Sequence, residues 1–201
     1  MSLFPMEGLK RSAEFPQPAR WHFAEIAGRF VEISGSRATS ALTLACGLVI
    51  QAQRQGEPVG WITPRDHSFY PPDAAEGGVD LDALVVVQLP DAKAVPRAGE
   101  RLLRSGAFGL VVLDIGAAGI PTPHQARLAA LAQQHHAALV FLTEKESGEM
   151  SLGSLVSLRV EAGRRQVSGG RFVCGIRALK DKRRGPAWTQ EEACSGPAGL
   201  R

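Results

Sequence analysis

What the chain lacks narrows its class before anything it contains. Its 201 residues hold no apolar run approaching the roughly 20 that a membrane-spanning helix requires. Near the amino end Pro5, Glu7, Lys10 and Arg11 interrupt any apolar region, so no signal peptide is expected. Cysteine is scarce: Cys46, Cys174 and Cys194 lie far apart and without metal-ligand spacing. That pattern suits a reducing cytoplasm better than a disulfide framework, and it offers no zinc site. Aromatic residues make up only 6 % of the chain and are thinly interleaved with the basic ones, which counts against a stacking platform for single-stranded nucleic acid. No internal repeat is present.

The remaining composition is that of one globular domain with a real core and short tails, 44 % of residues being hydrophobic. The formal charge of +3 is unevenly spread. Between Arg159 and Arg184 nine Lys or Arg face only Glu161 and Asp181, whereas Asp66, Asp73, Glu76, Asp80 and Asp82 make the preceding region acidic. Residues 1–20 carry Pro5, Pro16, Pro18 and several charges without periodicity and read as a flexible arm. Short apolar runs follow at Phe30–Ile33, Val59–Thr63, Leu84–Gln88, Leu110–Asp114 and Ala138–Leu142. Helical patterns separate them at Ala41–Arg54, about Ala98–Arg104 and Gln125–His136, with Val95-Pro96 marking the start of the middle one. Apolar runs alternating with helices predict an α/β fold, a parallel sheet covered by helices. Leu155–Glu161 and Arg171–Arg177, with Gly163 and Gly169-Gly170 between them, predict a C-terminal antiparallel hairpin. The core domain is thus expected over residues 21–184, and residues 185–201, rich in Gly, Pro, Ser and charge, read as a flexible tail.

One loop carries the functional information. Arg29 to Gly35 reads as a buried strand entering a turn, and Ser36 to Ser40 lead into an apolar helix beginning at Ala41. Strand, tight loop and helix N-terminus are the scaffold of a phosphate-binding loop, which needs a second Gly, then Lys, then Ser or Thr. Counting from Gly35, those places hold Ser40, Ala41 and Leu42. A methyl stands where an ammonium would bridge phosphates, and an isobutyl group where a hydroxyl would meet magnesium. A vestigial loop of this kind predicts a binding protein with no nucleotide cofactor, no metal and no catalytic residue. Backbone amides at the start of the Ala41 helix would hold at most a weak sulfate or phosphate.

Gly28–Gly35, Ala52–Gly56, Gly78–Val85 and Arg104–Asp114 resemble, in order and spacing, segments of the bacterial recombinase RecA, and the likeness runs from about Ala27 to about Trp188. Within that superfamily the departures resemble the mutasome accessory proteins of the ImuA type and the related cell-division inhibitor SulA. The resemblance implies a RecA-like core. It also places the catalytic carboxylate at Arg65, or at Asp66 if an insertion falls one residue earlier, the adenine-contacting Asp and Tyr at Tyr70 and Asp73, so both of those have changed type, and the nucleotide-sensing Gln at Glu144. Asp114 survives at the strand end where a Walker B carboxylate would bind magnesium, and without phosphate donors it reads as a capped strand end. The segments after Asp114 and after Leu142, where RecA carries its DNA loops, are short, and the second is acidic.

Three readings stay open for the basic stretch: a solvated hairpin edge protected by charge, protein docking, or weak non-specific DNA binding. For docking, the resemblance matches Lys180-Asp181-Lys182 to the Lys-Asn-Lys of RecA that reaches a neighbouring protomer. His124, His135 and His136 read as surface histidines, not a metal site, and Ser34, Ser36 and Ser40 as caps. Trp21 and Phe23 are expected to pack over the sheet edge. Trp188, with Lys180, Lys182, Arg183 and Arg184, is a candidate partner contact, Trp188 either pinning the tail to the body or anchoring a partner. By the resemblance, the function is a non-enzymatic adaptor in damage-induced mutagenesis and translesion synthesis that binds ImuB and RecA, with self-association a further expectation. The alternatives are a SulA-like inhibitor binding FtsZ and an ATPase with an unusual loop.

Overall fold

The five apolar runs between Phe30 and Leu142 all become parallel strands, and the four other than Leu84–Leu89 are buried on both faces, which requires apolar side chains at successive positions. The computed structural model describes residues 21–35, 39–67, 69–166 and 171–195. In chain order the elements are α1 (Phe23–Ile26), β1 (Phe30–Gly35), α2 (Ala41–Arg54), β2 (Val59–Pro64), α3 (Pro71–Glu76), β3 (Leu84–Leu89) and α4 (Val95–Arg104). There follow β4 (Leu110–Gly116), α5 (Thr122–Gln134), β5 (Ala138–Glu144), β6 (Leu158–Gln166), β7 (Arg171–Asp181) and β8 (Thr189–Ser195). Together the strands form one eight-stranded sheet in the order β3-β2-β4-β5-β1-β6-β7-β8. The strands from β3 to β6 run parallel, and β7 and β8 are added antiparallel. The predicted α/β class, parallel sheet and C-terminal antiparallel unit are all present.

Alternation along the strands divides the core in two. Val31 and Ile33 of β1, Trp61 of β2 and Val112 of β4 face α2, whose Leu44, Ala45, Leu48, Val49 and Ala52 recur at helical spacing and are all buried. Ile62, Val111, Leu113, Leu139 and Phe141 point the other way, beneath Leu103 of α4 and Leu128 of α5. Each such aliphatic side chain contributes about 1.5–3 kcal/mol by leaving water. Gly99 lets α4 lie close on the sheet, since a Cβ there would come within 2.8 Å of a Leu113 methyl. Helix α4 begins at Val95 with Pro96 in its first turn, where no backbone N–H is needed.

Several expectations need correction. The arm at residues 1–20 lies outside the described residues, as do 196–201 of the tail. Of the tail that is described, residues 189–195 are not loose: β8 pairs with β7 from Arg177↔Thr189 to Arg171↔Ser195. The cause is an open backbone ladder on β7, whose unpaired N–H and C=O groups take a further strand. Trp188 is 6 % exposed and belongs to the core that includes Trp21 and Phe23, so it pins the chain to the body and is not an exposed partner anchor. For the same reason the basic hairpin is no sheet edge: β7 lies between β6 and β8, and among the described residues the edge strands are β3 and β8. Trp21 does pack at that end of the sheet, its amide donating to Gln190 Oε1 at 3.1 Å. The last helix stops at Gln134, leaving His135 as its C-cap and His136 at φ 53° beyond it. Cys174 is disulfide-bonded, contrary to the expectation of reduced cysteines, and Cys46 is free. Among the described residues no helix is long and apolar enough to cross a membrane.

Candidate functional site

In a parallel sheet, ligand chemistry gathers at the carboxyl ends of the strands. Here that row is formed by Gly35 of β1, Glu144 of β5 opposite it, and Asp114 of β4, with Thr63 near the end of β2. The helix N-terminus that would face a phosphate belongs to α2 and opens with Ala41 and Leu42. Its first amide is already engaged, Ala41 N donating to Thr39 Oγ1 at 3.2 Å. The Ser40 hydroxyl turns away and donates to the Gly163 carbonyl at 2.6 Å. Thr39 lies directly over Gly35, where a Cβ would come within 2.5 Å of the threonine methyl carbon. Ser36 lies outside the described residues.

Asp114 is buried and has two partners from one strand and its turn. Thr63 Oγ1 donates to its Oδ2 at 3.2 Å, and His67 Nδ1 stands 2.9 Å from its Oδ1. Both oxygens are therefore committed within the protein. Arg65 and Asp66, one of which would occupy the catalytic carboxylate position, sit exposed in the turn between Thr63 and His67. Tyr70 is also exposed, as are Asp73 and Glu144. Among the described residues no group of three or more His, Cys, Asp or Glu could hold a metal ion.

A second polar cluster lies on the opposite face of β1, below the chain that follows β5. Glu32 is fully buried; its Oε1 accepts from Thr143 Oγ1 at 3.1 Å and lies 3.3 Å from Lys145 Nζ, while its Oε2 accepts from the Leu152 amide at 2.9 Å. Beside it the buried Arg159 donates to Ser34 Oγ at 3.1 Å and to the carbonyls of Glu146 and Glu149. Ser34 is thus part of a structural network and not a cap. These contacts fasten the short segment after β5 onto the sheet. His67, Glu32 and Lys145 carry no sequence signal: a lone histidine after a strand and one carboxylate inside an apolar run resemble many unremarkable positions.

The basic stretch is largely spent on internal contacts. Besides Arg159, Arg177 pairs with Glu161 at 2.6 Å, and Arg184 with Glu25 at 2.6 Å. Arg183 reaches the Glu25 carbonyl, Lys182 Nζ donates to the Ser154 carbonyl at 2.6 Å, and Lys180 Nζ to that of Gly153 at 3.2 Å. Burial and the charge of Lys182 hold the Lys180 ammonium below the usual lysine range, against the opposing pull of Glu32. Lys180, Lys182, Arg183 and Arg184 are brought together around the β7 terminus, where they brace the segment before β6 and the helix α1. Asp181 between them ion-pairs with buried Arg29 at 2.8 Å.

Residues 25–140 match the RecA N-terminal domain, more than half of the chain. A stretch of 159 residues is 33 % identical to the protein RecA of Chlorobium chlorochromatii, covering 77 % of this chain and 40 % of that protein. The protein RecA of Fusobacterium nucleatum is 36 % identical over 94 residues, which cover 47 % of this chain and 25 % of the relative. That of a Nocardioides species is 39 % identical over 94 residues, covering 47 % and 27 %. The chain thus spans at most two-fifths of the length of these curated relatives.

Proposed function

The chain belongs to the RecA family, and on that premise we propose that it is a non-catalytic member, an adaptor of the ImuA type acting in damage-induced mutagenesis and translesion synthesis. Its partners in this reading are ImuB and RecA. The observation that carries it is the occupied strand-end row. Ala41 and Leu42 open α2 where a lysine and a hydroxyl would be needed, and Asp114 is held by Thr63 and His67. Phosphoryl transfer rests on positioned cations and magnesium, whereas this row supplies no ammonium, and its carboxylate at the magnesium position, Asp114, is already committed.

The free edge of the sheet supports a docking role. Among the described residues β3 has no strand on its outer side, and its Val85 and Val86 are 48 % and 36 % exposed, with exposed Leu81 shortly before it in the chain. An edge strand bearing exposed β-branched residues invites an added strand, and in RecA assembly one protomer lends a segment and strand edge to the next. RecA, or a second copy of this chain, is the partner proposed for that edge. ImuB contacts are proposed elsewhere than Trp188, since that side chain is buried. Calorimetric titration with magnesium and ATP tests the non-catalytic half of the reading. No saturable heat is expected at millimolar nucleotide, and micromolar affinity would return the chain to the ATPase class.

A further inference from the structure

We propose that the groove between α4 and α5 is a docking site for an acidic polypeptide segment. It encloses about 890 Å³ and adjoins a second hollow of about 390 Å³ that shares Glu100, Arg104 and Arg127 with it. Lys93, Arg97, Arg101, Arg104 and Arg127 line the main groove, and Glu100 is the one acidic residue against them. That glutamate is taken by Arg104 at 2.5 Å. Among the described residues Lys93, Arg97, Arg101 and Arg127 make no side-chain hydrogen bond or ion pair, and all four are exposed. Like charges crowded in one concavity repel, and an anionic occupant relieves that repulsion. His124 also lines the groove, and its buried Nδ1 has no hydrogen-bond partner among the described residues.

The arrangement favours a polypeptide over a nucleic acid. Arg97, Arg101 and Arg104 stand at i, i+4 and i+7 on α4, so they form one stripe rising about 10 Å along the helix. Carboxylates repeating at the same interval on a partner helix would meet Arg97 and Arg101 in register, through the two-pronged geometry that guanidinium and carboxylate share, and would compete with Glu100 for Arg104. Pro96 and Pro121 add apolar wall for a peptide, whereas no Phe, Tyr or Trp lines the groove to stack a base. This inference is independent of the adaptor reading, because it uses neither the β3 edge nor the strand-end row.

Fluorescence anisotropy on the full chain tests it with three probes of equal charge: a helical peptide with Glu at i, i+4 and i+7, a peptide of the same composition with its Glu residues contiguous, and a thymidine oligonucleotide. Two variants of equal charge change are compared, Arg97→Glu/Arg127→Glu in the groove and Arg54→Glu/Arg65→Glu elsewhere, with circular dichroism to confirm folding. The patterned peptide is expected to bind best and to lose about tenfold or more in affinity in the groove variant, against less than about twofold in the other. Equal losses in both variants, equal binding of the two peptides, or tighter binding by the oligonucleotide would each overturn the proposal, the last in favour of a phosphate-backbone site.

Discussion

Trp188 donates its indole N–H to Asp181 Oδ2 at 3.1 Å, while the other oxygen of that carboxylate receives Arg29 at 2.8 Å and the Arg183 amide at 2.9 Å. One buried carboxylate therefore joins the start of β1, the end of β7 and the residue leading into β8. Its ion pair is dry, the side chains of Arg29 and Asp181 being 4 % and 2 % exposed. Breaking such a pair from one side strands a charge and costs about 3–5 kcal/mol.

Removing the chain from Trp188 onward, or replacing Trp188 by Ala, should destabilise the protein. The loss expected for the substitution is about 3–5 kcal/mol, that of a large buried aromatic, and urea denaturation monitored by circular dichroism measures it. A truncated protein with an unchanged midpoint would mean that β8 and Trp188 contribute nothing to the body.

Stability should also depend on Asp181 in acid. Burial pushes this carboxyl up, but the Arg183 amide, the Arg29 guanidinium and the Trp188 indole pull it further down, so the net shift is downward. A depressed folded pKa gives stability that is fully present above the ordinary carboxylate value of about 3.9 and lost as pH falls through the folded value. Urea midpoints recorded from neutral to acidic pH should fall less in Asp181→Asn than in the unaltered protein. Parallel curves would remove Asp181 from the acid response.

Cys46 should react slowly in the native state. Burial pushes its thiol up to about 11, so little thiolate is present near pH 8. Alkylation by iodoacetamide, followed by mass spectrometry of the Cys46 peptide, should accelerate sharply on adding denaturant. Rapid labelling of the folded protein would contradict this.

Restoring the missing lysine alone should not restore hydrolysis. In Ala41→Lys, Leu42 still denies magnesium its hydroxyl, and Asp114 remains held by Thr63 and His67. Phosphate release from ATP should stay at background in this single variant, and turnover above background would show that the strand-end row is competent after all.

The central strands were legible because strands covered on both faces must be apolar throughout, and α2 was legible to its last residue because its apolar positions recur at helical spacing. The elements without such a signal were not. α3 is six residues with one buried side chain, Ala74, too short for a period to emerge. β8 hides in Thr189-Gln190-Glu191-Glu192, a polar sequence whose strand character comes from the open side of β7. The same holds at the candidate site. The replacement of lysine by Ala41 could be read directly from the loop, whereas the commitment of Asp114 to His67 depends on a turn that brings the histidine back over the strand end. The groove of α4 and α5 escaped because a basic stripe such as Arg97, Arg101 and Arg104 reads as a solvated helix face until the fold sets Arg127 and His124 of α5 against it.

The adaptor reading is tested most directly by a pull-down with the purified, tagged chain against purified RecA, ImuB and FtsZ, each without nucleotide. Retention of RecA and ImuB is expected, with RecA lost and ImuB kept when Val85 and Val86 are changed to Lys on the β3 edge. Retention of FtsZ alone would contradict the account and assign the chain to the division-inhibitor class.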